Sequence, residues 1–386
     1  MIKRIIESEL GITAKEYPII TIIGPRQSGK TTLAKKSFPE YKYVNLENPE
    51  HRSLAENDPK SFLQRYAPPV IIDEIQNVPE LISWIQVITD ENHGNKAQFV
   101  LTGSHQLKLR EAVTQSLAGR TALLTLLPLS LNELDKEYVN RDRSELLLNG
   151  FMPRVHDQHI RPQRFYRDYF QTYVERDVRK LMAIENQQAF ELFLKLLAGR
   201  IGHEINYNSL SNQVGISAPQ IKKWLSILEA SFIVFKLPPF FRNYGKRLTK
   251  SPKIYFTEIG LAVYLLGIET AEQVERDPLF GHLFENMIVA EAYKNRLNEG
   301  KNPGLYFFRD HHQNEIDLLF PSGSSYTPIE IKSSRTFRDD FLKGVNYFQK
   351  LTKSEDEGLL IYDGDLEMET QNAKVRNFRN IFTPSE

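Results

Sequence analysis

Gly24-Pro25-Arg26-Gln27-Ser28-Gly29-Lys30-Thr31 is a glycine-bounded octapeptide that stands directly behind the apolar run Pro18-Ile19-Ile20-Thr21-Ile22-Ile23. Glycines at these positions let backbone N–H groups close around phosphate oxygens, a lysine at Lys30 reaches the β and γ oxygens, and a hydroxyl at Thr31 suits Mg²⁺. From Thr32 to Ser37 the chain can continue as a helix whose positive end faces the phosphates. A second apolar run, Pro69-Val70-Ile71-Ile72, closes on Asp73 and Glu74. Asp73 is expected to hold the Mg²⁺ shell and Glu74 to polarise the water that attacks a γ-phosphate. A third run from Gln98 ends in Thr102, Gly103 and Ser104. Either hydroxyl could sense the γ-phosphate, and Ser104 equally suits a helix cap.

A separate constellation lies toward the C-terminus. Glu285 sits in the apolar-periodic segment Leu283–Glu291, Asp317 in the strand-like Asn314–Phe320, and Glu330 and Lys332 two apart in Pro328–Lys332, hence on one strand face. Asp317 and Glu330 can chelate a divalent metal, helped by the Ile331 carbonyl. Lys332 can orient or deprotonate water, and Glu285 can complete or tune the site. Phosphodiester hydrolysis needs those functions, and the pattern resembles that of the PD-(D/E)xK nucleases. A lone Glu-x-Lys would say little, because alternating charges decorate any half-exposed strand; the upstream Asp and Glu make it meaningful. His311 and His312 read as loop residues.

The elements that must position these groups are legible in outline. Strands at 18–23, 41–46, 69–74, 98–104 and 121–127 alternate with helical stretches, each nucleotide element falling at a strand's C-terminal end, which implies an α/β parallel doubly wound sheet. From Pro162 to about Leu197 the sequence reads as helix, with Tyr166, Tyr169, Phe170 and Tyr173 as core and the charged run Glu175 to Arg179. Ser209–Val214, the turn Gly215-Ile216-Ser217 and Ala218–Ser231 with Lys222, Lys223 and Trp224 have the grammar of a helix-turn-helix. Ile233–Leu237 and Lys253–Phe256 would be wing strands, joined by a loop bearing Arg242, Lys246, Arg247 and Lys250. Such a module suits DNA, although winged helices also bind proteins. Asp339–Lys350 reads as a helix and Gly358–Tyr362 as the last strand. The expected domains are 1–135 (ATPase), 136–200 (helical), 201–258 (winged-helix-like) and 259–386 (nuclease-like, mixed α/β).

Composition narrows the classes. Acidic and basic residues balance at 49 each, so no global field announces nucleic acid or membrane. The absence of cysteine removes disulfides, thiolate metal sites and cysteine nucleophiles. With no signal peptide and no membrane span, a cytoplasmic protein without membrane partners is expected.

Gly-Pro-Arg-Gln-x-Gly-Lys-Thr, then Ile-Ile-Asp-Glu-Ile-Gln, Leu-Thr-Gly-Ser and Ser116-Leu117-Ala118-Gly119-Arg120 together resemble a large prokaryotic group of AAA-type P-loop ATPases fused to a C-terminal domain of unknown function with a restriction-endonuclease-like fold. The phosphate loop with Asp73 and Glu74 gives ATP and Mg²⁺ as the expected cofactors, the helix-turn-helix and nuclease-like patterns give DNA as the expected partner, and a homo-oligomer is an open expectation. The resemblance places Arg120 where such ATPases carry an arginine finger. Two readings follow: an ATP-driven enzyme acting on DNA, or a nucleotide-switched regulatory protein whose nuclease-like domain only binds.

Overall fold

The computed structural model describes residues 2–92, 94–104, 117–178, 186–240, 251–353 and 356–382. Arg242, Lys246, Arg247, Lys250, Ser116 and Arg179 lie outside the described residues, as do the side chains of Glu175, Arg176 and Asp177. The chain divides into two compact units, one running to Leu129 and joined by Ala230–Phe232 and Arg296–Lys301, the other holding the remainder.

The first unit is built on five parallel strands: β1 (Ile19–Ile23), β2 (Lys42–Asn45), β3 (Val70–Asp73), β4 (Phe99–Gly103) and β5 (Thr121–Thr125), in the order β2-β3-β4-β1-β5. Every residue of β1, β3 and β4 is buried, as a parallel sheet covered on both faces requires, which explains their unbroken apolar runs. The covering helices are α1 (Glu7–Glu16), α2 (Lys30–Ser37), α3 (Pro49–Asn57), α4 (Pro59–Arg65) and α5 (Leu81–Glu91). The starts of α3 and α4 are local chemistry: each has proline in its first turn, behind an Asn48 or Asp58 side chain that accepts a backbone N–H. Ile6 and Leu10 root α1 in a core shared with Ile20, Ile22, Leu33, Val100 and Leu126. Full burial of each such side chain is worth about 1.5–3 kcal/mol. The order matters for chemistry, because β4 lies between β1, which feeds the phosphate loop, and β3, which delivers Asp73.

The early helices of the second unit include α6 (Arg143–Asn149) and α7 (Pro162–Tyr169). The helical stretch expected from Pro162 contains α7, which passes into wide π-type turns over Phe170–Val178, and α8 (Gln187–Ala198). Tyr166, Tyr169, Phe170 and Tyr173 are all buried. Next come α9 (Tyr207–Val214) and α10 (Ala218–Ala230), joined by a turn in which Gly215 takes the left-handed conformation at φ 78°. Antiparallel β6 (Val234–Leu237) and β7 (Lys253–Phe256) follow, then α11 (Ile259–Leu265), α12 (Ala271–Arg276) and the long α13 (Phe280–Asn298).

Behind α13 lies a six-stranded mixed sheet. Strands β8 (Tyr306–Arg309), β9 (Glu315–Ser322) and β10 (Ser325–Lys332) form an antiparallel meander, and α14 (Lys343–Thr352) crosses over to β11 (Gly358–Tyr362), parallel to β10. The stretch expected to be helical from Asp339 opens with a 3₁₀ turn at Asp339–Leu342 before α14. β11 is not the last strand. Beyond it lie β12 (Met368–Glu369) and β13 (Ala373–Asn377), giving the order β12-β13-β11-β10-β9-β8 with β13 parallel to β11. Ala373 and Val375 are its only apolar residues, and both enter the core beside Leu360 and Tyr362.

Candidate functional site

The phosphate loop is shaped by two glycines and one buried lysine. Gly24 passes so close to the segment after β5 that a Cβ there would stand 2.0 Å from the Leu126 carbonyl oxygen, and Gly29 adopts φ 96°, closed to most side chains. Ser28 is fully buried, and its hydroxyl has no hydrogen-bond partner among the described residues. Pro25 is buried, Gln27 and Thr32 are exposed, and Arg26 reaches Glu47 at 3.5 Å. The Lys30 ammonium folds back onto the Gly24 and Pro25 carbonyls at 3.0 and 2.8 Å. Burial lowers its pKa to about 8, against the pull of Glu74 and Asp73.

Asp73 collects hydroxyls from three elements. Thr31 donates to its two oxygens at 3.1 and 3.0 Å, Tyr43 on β2 donates at 2.8 Å, and Thr102 on β4 donates as well. A hard carboxylate facing the Thr31 hydroxyl is a donor set that fits Mg²⁺. Glu74, in the left-handed conformation at φ 57°, leaves the strand axis. Its N–H donates to Thr102 at 3.3 Å, and its carboxylate accepts from Ser104 at 3.0 Å and from the Gln76 amide. Thr102 and Ser104 thus turn toward the two acids.

Arg120 stands elsewhere. Its carbonyl accepts from Ile19 N–H at the start of β1, whereas the phosphate loop begins at the other end of that strand. Five strand residues at ~3.3 Å put about 16 Å between the two positions. Its guanidinium forms a fork with Asp90 of α5, at 2.5 and 2.9 Å. Arg120 is thus paired with Asp90 at the end of β1 opposite the phosphate loop.

In the second unit, Glu285, Asp317, Glu330 and Lys332 line one cavity of about 760 Å³. The β9–β10 register, ending at Leu318 opposite Ile329, carries Asp317 next to Glu330. Asp317 accepts the Ile331 N–H at 2.8 Å, and the Lys332 ammonium lies 3.1 Å from Glu330 and 3.8 Å from Asp317. Burial and then the neighbouring Asp317 push Glu330 well above the usual carboxylate range. Burial works to lower Lys332, but Asp317 and Glu330 outweigh it and hold the amine above its ordinary value. Lys332 is thus a cation at neutral pH, suited to orienting water and not to deprotonating it.

Glu285 has a partner of its own. The buried Lys253 of β7 bridges it to Glu315, at 3.0 and 2.6 Å, while Tyr255 donates to Glu285 at 2.5 Å and His282 Nδ1 lies 3.5 Å away. Burial acts to raise Glu285, yet Lys253 first, then His282 and Tyr255, hold it at about 2. Among the described residues no three His, Cys, Asp or Glu side chains converge as a metal cluster. Asp317 and Glu330 remain as a carboxylate pair whose mutual repulsion a divalent cation would relieve.

Three family models tile the chain. Residues 16–135 match an AAA domain, 140–272 a domain of unknown function (DUF8612), and 280–381 another (DUF4143). An uncharacterized protein of Mycobacterium tuberculosis (strain ATCC 25618 / H37Rv) is 30% identical over 324 residues, covering 83% of this chain and 71% of the relative. The chain belongs to this family of P-loop AAA-type ATPases. An uncharacterized protein of Haemophilus influenzae is 23% identical over 317 residues, covering 73% of this chain and 76% of the relative. Among solved structures, the Walker-type ATPase PABY2304 of Pyrococcus abyssi overlaps 67% of this chain and 94% of its own at 14% identity and a TM-score of 0.40. AMPPCP-bound DnaA from Aquifex aeolicus overlaps 58% and 86%, at 14% identity and a TM-score of 0.29. Neither likeness is close enough to carry a functional argument. No helix among the described residues of this AAA-type ATPase is long and apolar enough to cross a membrane.

Sequence reasoning missed Tyr43, Gln76, Lys253 and Glu315. Lys253 and Tyr255 were legible only as wing-strand residues, and a strand alternating toward a cavity gives no sign of what it will meet there. The Gln76 signal was present, two residues after Glu74 in the same motif.

Proposed function

We propose that this AAA-type ATPase binds and hydrolyses Mg-ATP in its first unit and acts on DNA through its second, with nucleotide state controlling the DNA-directed step. In the first unit the loop N–H groups surround the phosphates, and Lys30 turns from the Gly24 and Pro25 carbonyls to the β and γ oxygens. Thr31 and Asp73 hold Mg²⁺, which when bound neutralises charge on the transferring phosphoryl group. Tyr43 and Thr102 keep Asp73 aimed, while Glu74, held by Ser104 and Gln76, orients the attacking water and accepts its proton. Arg120 acts in trans, on the nucleotide of a neighbouring copy in a homo-oligomer; leaving Asp90 is the cost of that step.

For the second unit the reading is a nuclease-like site beside a winged helix. Helices α9 and α10 with the β6–β7 hairpin follow the winged-helix order, and Lys222 and Lys223 are exposed on α10. The element order α13-β8-β9-β10-α14-β11 suits a restriction-endonuclease-like core. Asp317 and Glu330 would hold a divalent cation, which when bound polarises a phosphodiester. Lys332 orients the water and the phosphate by its charge. The observation that carries this reading is the convergence of Asp317, Glu330 and Lys332 from adjacent strands on one cavity.

Lys253 favours the second reading, a nucleotide-switched binding protein without DNA cleavage, because it already neutralises Glu285 and Glu315. Plasmid nicking and gel shifts with Mg²⁺ or Mn²⁺, each with and without ATP, separate the two. Asp317→Ala should abolish metal-dependent cleavage while sparing ATP hydrolysis. DNA shifted but never nicked by the wild type under any nucleotide condition favours the binding reading; DNA neither shifted nor nicked refutes action on DNA.

A further inference from the structure

We infer that Arg4 is the positioning residue of the phosphate loop, fixing the peptide that presents the Gly29 N–H to the nucleotide; this rests on the ATP-binding reading above. Arg4 precedes the matched AAA segment, which begins at residue 16. It is only 7% exposed, unusual for an arginine. Its Nη1 donates to the Ser28 carbonyl at 2.8 Å and its Nη2 to the Leu127 carbonyl at 2.7 Å.

The Ser28 carbonyl and the Gly29 N–H are the two ends of one planar trans peptide and point in opposite directions. Pulling the carbonyl onto a buried guanidinium therefore aims the N–H the other way. Gly29 has no side chain to hold that peptide, and glycine visits φ 96° as freely as the negative-φ regions, so its own conformational preference does not fix the peptide's orientation. Arg4 Nη1 would lie 3.8 Å from a Cβ at Gly29, so the guanidinium backs the loop at its tightest bend.

The second arm of the fork decides where the loop sits. Leu127 follows β5, and its neighbour Leu126 donates to the Ile23 carbonyl at 2.8 Å while crowding Gly24. Arg4 thus ties the far end of the loop, Ser28, to the same segment that grips its near end, Ile23 and Gly24. A planar fork can span two carbonyls in fixed geometry where an ammonium offers only a point charge. The arginine is itself anchored: its N–H donates to Glu7 at 2.9 Å, Glu7 accepts from Lys36 of α2 at 2.7 Å, and Ile6 and Leu10 are in the core.

The test is calorimetric titration of ATP and ADP into the full chain and into Arg4→Met and Arg4→Lys, with melting temperature recorded for each. Arg4→Met should weaken both nucleotides about 10- to 100-fold, the loss of one or two charge-assisted hydrogen bonds. Arg4→Lys keeps the charge but places every donor on one nitrogen, which cannot reproduce the fork's separate reach to the Ser28 and Leu127 carbonyls, so it should lose about 3- to 10-fold at an essentially unchanged melting temperature. The loss should appear in KM for ATP hydrolysis and leave kcat near wild type, because the loop is misaimed before binding and not during chemistry. Wild-type affinity in Arg4→Lys with an unchanged melting temperature overturns the inference, and does so even where Arg4→Met fails to fold. A wild-type chain that binds no ATP overturns the nucleotide reading instead.

Discussion

Lys30 gives the nucleotide site a pH dependence that can be worked through in numbers. In the nucleotide-free protein its ammonium is buried against two carbonyls, and burial lowers its pKa to about 8 despite Glu74 and Asp73. Triphosphate oxygens placed against the amine favour its charged form, so binding should draw a proton onto Lys30. The uptake equals the fraction deprotonated beforehand: about 0.1 proton at pH 7, about 0.5 at pH 8 and about 0.9 at pH 9. ATP affinity should then fall about tenfold from pH 7 to pH 9, or ~1.4 kcal/mol. The terminal phosphate of ATP stays ionised across this window, its second pKa lying near 6. Stability runs the opposite way. With a folded pKa of about 8 and an ordinary value of 10.5, the unfolded chain binds more protons between those limits. The free protein should therefore gain stability as pH rises through that window, by at most about 3 kcal/mol. Calorimetry of ATP binding at pH 7, 8 and 9, in pairs of buffers with different ionisation enthalpies, measures uptake directly. Less than ~0.1 proton at pH 9, with affinity unchanged from pH 7, would refute the buried-amine argument.

Other perturbations test separate parts of the structure. Gly24→Ala forces a Cβ against the Leu126 carbonyl, so it should cost about 1–3 kcal/mol in denaturant unfolding and remove ATP binding by displacing the loop. Glu74→Gln should bind ATP within a few-fold of wild type yet hydrolyse it ~10²- to 10⁴-fold more slowly in single-turnover assays; unchanged turnover would remove Glu74 from the chemistry. Lys253→Met strands Glu285 as a buried carboxylate, which should cost about 3–5 kcal/mol in thermal or urea unfolding. Adding Glu285→Gln to that variant should recover most of the loss, and a double variant no more stable than the single would show that Glu285 is not the group Lys253 serves. Because Glu285 sits at about 2 instead of 4.5, its contribution is full above pH 4.5 and disappears as pH falls through 2; Glu285→Gln should flatten that acid limb of the stability curve.

What the sequence disclosed and what it hid divide along a physical line. The phosphate loop, Asp73 with Glu74, and Thr102 with Ser104 were legible because backbone and short side chains at strand ends do the work, and a buried parallel strand advertises itself as an apolar run. The α9–α10 turn was legible for the same reason, since Gly215 marks a helix end that needs a left-handed residue. β13 was not, because Lys374 and Arg376 alternate with its buried Ala373, Val375 and Asn377, leaving too little apolar signal. The wide turns after Tyr169 were hidden too, their aromatic spacing fitting an ordinary helix well enough. The groups most completely missed are long cations that cross the fold. Arg4 reaches a carbonyl 123 residues away, and Lys253 reaches a carboxylate 32 residues away. Neither sits in a motif, because a guanidinium or ammonium on a flexible stem can be supplied from any element that packs nearby. Each unit therefore pairs a cluster legible in the sequence with a buried cation supplied from elsewhere in the same unit. On the functions proposed above, the cluster residues would handle phosphate, while Arg4 and Lys253 would set how tightly those groups are held. Variants of the first kind should abolish activity outright; variants of the second should grade it, shifting nucleotide affinity at Arg4 and stability and acid sensitivity at Lys253.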